Sequence, residues 1–171
     1  MKAKKTRTSS STTEKLPPDR ATAYAKAVVA GKIVAGPHVR NACRRHLDDL
    51  KRKDVKFDKA AAAKAIRFFE EHLRLSEGQF DDKPFKSAPA QDFIIGSIFG
   101  WKKLDGIRRF RRAYIEQGKG NGKSPLAGGI GLYGLTADGE AGAEIYSAGA
   151  TKQQAEILFR DAVKMVRQSP A

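Results

Sequence analysis

A chain of 171 residues with 40% hydrophobic and 30% charged residues can bury one real core and is too short for two enzymatic domains. Its 33 Lys and Arg against 19 Asp and Glu leave a net charge of +14, which favours polyanions: nucleic acid, nucleotide phosphates or an acidic membrane surface. The single Cys43 excludes an internal disulfide and fits a reducing cytoplasm, and no run approaches the roughly 20 apolar residues of a membrane span.

The first 20 residues, "MKAKKTRTSSSTTEKLPPDR", carry six basic residues, a Ser/Thr run and a Pro pair. With almost nothing to bury, they are expected to form a disordered basic tail, and they lack the apolar centre of a secretory signal. Residues 21–83 read as a helical leader. A short helix over Thr22 to Val29 stops near Gly31. Val39, Ala42, Cys43, His46, Leu47 and Leu50 then mark one face of a second helix. Cys43 and His46 lie on that face, and packing is the better account of them than a metal site, since no second Cys stands nearby. The basic turn "KRKDVKFD" leads to a third helix, Lys59 to Leu75, with Asp58 as N-cap and Ala62, Ile66, Phe69 and Leu73 as its stripe.

From residue 84 to 171 the character changes. "SAPAQDFIIGSIFGW" reads as an apolar helix with Gln91 near its start, and "FRRAYIEQ" as a strand. Strand alternation would send Arg109 and Arg111 to one side, with Arg108 and Arg112 opposite. A glycine-rich loop follows, then a helix from about Ser124 to Leu135, a turn at "TADGEAG" and a second strand, "AEIYSAG". The last helix starts at Thr151, where "TKQQ" has the form of a capping box, and its stripe is Ala155, Leu158, Ala162 and Met165. Strand, glycine loop, helix, strand, helix is the opening of an α/β domain with a parallel sheet.

The loop "EQGKGNGKSPLAGG" carries the chemistry. A phosphate loop needs glycines that let the backbone aim N–H groups inward, a Lys for the outer phosphates and a hydroxyl for Mg²⁺. Gly118, Gly120 and Gly122 supply the curl, Lys123 the charge and Ser124 the hydroxyl. The following helix adds its N-terminal dipole, and Pro125 is tolerated in its first turn. The full G-x-x-x-x-G-K-[ST] pattern fails only where Gln117 replaces the first Gly. Glycines at 128, 129, 131 and 134 make the next helix intrinsically poor, tolerable if its backbone packs tightly on the sheet.

The stretch from "YIEQGKGNGKSPLAGG" to "RDAVKMVRQSP" resembles the phosphate-loop region of the large terminase subunit of tailed bacteriophages. The likeness extends upstream through "FIIGSIFGWKKLDGIRRFRRAYI" and "FDKAAAAKAIRFFEEHLRL" to "AYAKAVVAGKIVAGPHVRNACRRHLDDL". The resemblance implies the first part of a P-loop ATPase, a three-layer αβα domain incomplete here, that uses ATP and Mg²⁺ to drive DNA packaging. Gly122, Lys123 and Ser124 match the family's phosphate and metal residues, with Gly118, Gly120 and Asn121 in the same loop. Lys119 falls where many terminases carry a basic residue contacting the γ-phosphate, and Gln91 matches the glutamine that reads adenine. Ala90 stands where the family usually has Trp.

The implied partners are double-stranded viral DNA, the terminase small subunit, the portal protein and further copies of the full-length chain, in the cytoplasm of a bacterial host. The family's hydrolytic Asp-Glu after an apolar strand does not occur here. ATP binding without turnover is therefore the expectation for these residues. The readings from other classes are a basic nucleic-acid-binding module, using "KKLDGIRRFRR" and the tail without nucleotide chemistry, and a non-functional prophage remnant.

Overall fold

Asp19 opens the first helix by accepting the Thr22 N–H at 2.9 Å, one of the orphan donors every helix start leaves. The computed structural model describes residues 18–75 and 80–170, so the expected tail disorder over residues 1–17 lies outside the described residues. Helix α1 (Arg20–Val29) ends before Gly31, whose φ of 74° terminates it in the left-handed region. Helix α2 (Pro37–Asp49) starts on a proline, and strand β1 (Val55–Phe57) lies inside the segment expected to be only a basic turn. Asp58 caps helix α3 (Lys59–His72) as expected, accepting the Ala61 N–H at 3.0 Å. Helix α4 (Pro89–Gly100) runs directly into strand β2 (Trp101–Lys103). Helices α5 (Lys123–Thr136) and α6 (Lys152–Arg167) complete the order, and Thr151 caps α6 by accepting the Gln154 N–H.

Packing is helix on helix. Helix α4 lies against both α1 and α3, while α5 packs on α6 and touches α3. One buried cluster joins Ile66 and Phe69 of α3 and its C-cap Leu73 to Ile95 and Phe99 of α4, Leu126 and Tyr133 of α5 and Met165 of α6. The second joins Tyr24 and Val28 of α1 to Cys43, Phe57, Phe93 and Trp101. Both clusters therefore cross residue 84. The stripe expected on α3 is buried throughout.

His46 and Cys43 pack inward, as expected for core residues. Trp101 donates its indole N–H to His46 Nδ1 at 3.0 Å, so His46 carries its proton on Nε2 and donates it to Thr22 Oγ1 at 2.8 Å. Burial lowers the His46 pKa and pushes the Cys43 thiol up to about 11.

The sheet departs from expectation. Among the described residues the ladder is two-stranded and antiparallel, pairing Val55 with Lys103, Lys56 with Lys102 and Phe57 with Trp101. A hairpin folds β2 back on itself: the Arg109 N–H donates to Trp101 O at 2.9 Å and the Lys103 N–H to Ile107 O at 2.8 Å. Its turn is Asp105–Gly106, with Gly106 at φ 82°. Residues 110–117 and 143–149, expected as parallel strands, belong to no ladder. They lack a neighbour to bond with, and Tyr114 and Tyr146 are more than four-fifths exposed.

Candidate nucleotide-binding site

Two left-handed glycines shape the loop. Gly120 (φ 83°) and Gly122 (φ 72°) adopt a backbone that side-chain-bearing residues rarely take, and Gly122 is the N-cap of α5. No side chain caps this helix, which leaves the Lys123 and Ser124 N–H groups at its mouth for an anion. Pro125 has no N–H to leave orphaned, and the Leu126 N–H already donates to Gly122 O at 3.1 Å. The loop is braced by the Asn121 N–H donating to Gly118 O.

Lys123 folds back over this curl and donates from Nζ to Gln117 O at 2.6 Å. Its ammonium thus sits across the loop entrance. Gln117, the residue that breaks the usual pattern, supplies the backbone carbonyl that holds the lysine. Sequence reasoning treated that position only as a missing glycine, and a backbone acceptor leaves no signal in residue type. Lys119 and Asn121 are exposed beside it, and Ser124 is half-buried at the second helical position, where its hydroxyl and a phosphate oxygen can share a cation.

Gln91 joins the site from α4. Its Oε1 accepts the Ala88 N–H at 2.9 Å, closing the first turn of the helix. Its Nε2 faces the loop, 3.4 Å from the position a Cβ on Gly122 would occupy. The structure therefore brings together all the residues expected from the sequence: Gln91, Gly118, Lys119, Gly120, Asn121, Gly122, Lys123 and Ser124.

The neighbouring arginines divide differently from a strand's alternation. Arg109 pairs with buried Asp49 at 2.6 Å and lies over Trp101 and Phe110, at 5.2 and 4.9 Å from the ring centres. Arg108 pairs with Asp138 at 3.2 Å and covers Phe99. Arg111 and Arg112 are both exposed. Each expected row is thus half paired and half free, because the hairpin ends at Arg109 and the alternation ends with it.

No helix among the described residues is long and apolar enough to cross a membrane. A family model for the terminase large subunit, ATPase domain, matches residues 89–171. No curated protein and no solved structure matches the chain. The family match begins at the first residue of α4 and takes in Gln91, the whole glycine loop and both following helices. Residues 89–171 of this chain therefore belong to the terminase large subunit family, in its ATPase domain.

Proposed function

We propose that the loop from Gly118 to Ser124 binds ATP with Mg²⁺, as the nucleotide-binding part of the motor that packages double-stranded viral DNA into the capsid of a tailed bacteriophage. The observation carrying this reading is the uncapped α5 N-terminus, opened by left-handed Gly122, with the Lys123 ammonium held 2.6 Å from Gln117 O across the curl. In this reading Lys123 and the free N–H groups of α5 hold the outer phosphates, Lys119 reaches the γ-phosphate, and Ser124 ligates Mg²⁺. Bound Mg²⁺ supplies charge neutralisation on the phosphate oxygens. Gln91 keeps a second lone pair on Oε1 and its Nε2 donors, which is the donor–acceptor set an adenine edge requires.

The rest of the proposal follows the family. Segments 110–117 and 143–149 would be strands of the parallel sheet, and the small subunit, the portal and further copies of the full-length chain would be partners in the cytoplasm of a bacterial host. A nucleic-acid module without nucleotide chemistry would have no use for a lysine folded over a glycine curl.

Calorimetric titration of ATP–Mg²⁺ into the wild type and Lys123→Ala tests the reading. Charged hydrogen bonds are each worth ~1.5–3 kcal/mol, so the variant should lose at least about tenfold in affinity. Equal binding by both proteins would remove the loop as the site.

A further inference from the structure

A cleft of about 820 Å³ opens beside the hairpin, on residues distinct from the glycine loop. Arg111 and Arg112 form one wall, Lys102 lies on the hairpin side, and Asp138 and Glu140 face them from the turn after α5. Two of the carboxylates at this cleft are already committed. Asp138 is neutralised by Arg108 at 3.2 Å, and Asp105 accepts the Ile107 N–H at 2.9 Å within the hairpin turn. Arg111 and Arg112, by contrast, have no ion pair, hydrogen bond or ring contact among the described residues. With Arg108 and Arg109 paired off, Lys102, Lys103, Arg111, Arg112, Lys119 and Lys123 remain between Trp101 and Ser124, against Asp105 and Glu116.

We infer that this cleft binds the phosphodiester backbone of nucleic acid through Arg111 and Arg112. A guanidinium is the preferred group for phosphate, and two adjacent ones without acidic partners leave a charge surplus for a polyanion to neutralise. The aromatic ring on the cleft wall, Phe110, is already engaged by Arg45 at 5.1 Å and Arg109 at 4.9 Å. Recognition here therefore runs through charge, without base stacking, and is independent of sequence. The higher charge density of duplex DNA makes it the tighter of duplex and single-stranded ligands. Five residues separate Arg112 from Gly118, so an occupied cleft would bear directly on the start of the glycine loop.

This inference deepens the proposed function by placing its nucleic-acid partner, yet the two fail separately. Fluorescence anisotropy with a labelled duplex and a labelled single strand, at several salt concentrations, measures binding by the full chain. Arg111→Ala/Arg112→Ala should lose about tenfold in affinity at low salt, and its log K against log [salt] slope should fall by about 2 for duplex DNA. Arg111→Ala/Arg112→Ala should still titrate with ATP–Mg²⁺ like the wild type, so loss of DNA binding and loss of ATP binding are read separately. Arg111→Lys/Arg112→Lys should recover most of the binding, and an unchanged thermal midpoint would show that the fold is kept. Unaltered affinity and slope in the double alanine variant would overturn the inference and move binding to other basic residues. Dependence of anionic-vesicle binding on the same two arginines, with nucleic acid unaffected, would overturn it equally.

Discussion

The amide nitrogen of Gln91 stands against Gly122, 31 positions later in the chain, so close that a Cβ on that glycine would lie 3.4 Å away. The contact ties the first turn of α4 to the N-cap of α5. Gln91→Ala removes both this neighbour and the acceptor of the Ala88 N–H. The expected outcome is a narrower preference for ATP over GTP, because the amide's donor–acceptor pair is lost from the site. A stability loss of about 1 kcal/mol should accompany it, the usual worth of a helix-start cap. Unchanged discrimination in competition binding would leave Gln91 with the capping role alone.

Adjacent glycines of α5 should respond to alanine with opposite signs. A Cβ on Gly129 would lie 2.3 Å from Phe69 Cε1 in α3 and 2.9 Å from Cδ1 of Leu73, the C-cap of that helix, both buried side chains. Overpacking of this kind costs ~1–3 kcal/mol, more than the ~1 kcal/mol gained from helix propensity. On Gly128 the nearest atom would be Ala162 N at 3.7 Å, an ordinary contact. Gly129→Ala should therefore lower the thermal midpoint and Gly128→Ala raise it. Two shifts of the same sign would contradict this packing.

The same pair shows how far residue patterns reach. The glycines in α5 announced a close approach, but they pack on α3 and α6, whereas a sheet was expected. All six helices of the described residues are expected from the sequence, α2, α3 and α6 through their apolar stripes, and Asp58 and Thr151 mark the starts of α3 and α6, since caps and stripes are local chemistry. Asp105–Gly106 is a strong hairpin turn signal, outweighed in the sequence by the β-formers that follow it. Those residues, 110–117, form no ladder because strand propensity creates no partner. At the site, Gly120, Gly122, Lys123 and Ser124 were readable as a motif. The carbonyl of Gln117 and the ion pairs of Arg108 and Arg109 were not, because they depend on tertiary neighbours.

His46 should make the fold acid-sensitive. Its pKa is lowered by burial, and protonating Nδ1 would set a proton against the Trp101 indole N–H. The unfolded state, with an ordinary value near 6.5, binds the proton more readily. Stability is therefore complete above that value and falls as pH drops below it, by at most ~1.4 kcal/mol per pH unit, until the folded-state value is reached. Asp92, whose pKa burial raises, acts in the opposite sense at lower pH. Urea midpoints should decline from pH 7.5 to 5.5, and His46→Gln should flatten the decline. A wild-type midpoint constant across that range would rule out the buried neutral imidazole.

Turnover separates binding from catalysis. Phosphoryl transfer requires a carboxylate holding Mg²⁺ and a group orienting the attacking water. The acidic residues nearest the loop in sequence are otherwise engaged: Glu116 accepts the Tyr114 hydroxyl at 3.1 Å, and Asp138 is paired with Arg108. On α4, beside Gln91, Asp92 is buried against Arg20 at 2.9 Å and accepts the Ser87 hydroxyl. A protein of residues 1–171 should therefore bind ATP through Lys123 and hydrolyse it no faster than buffer. Phosphate release by this protein, abolished by Lys123→Ala, would overturn that expectation. It would mean that one of these engaged carboxylates leaves its partner when nucleotide binds, and Asp138, freed from Arg108, would be the first to replace with Asn.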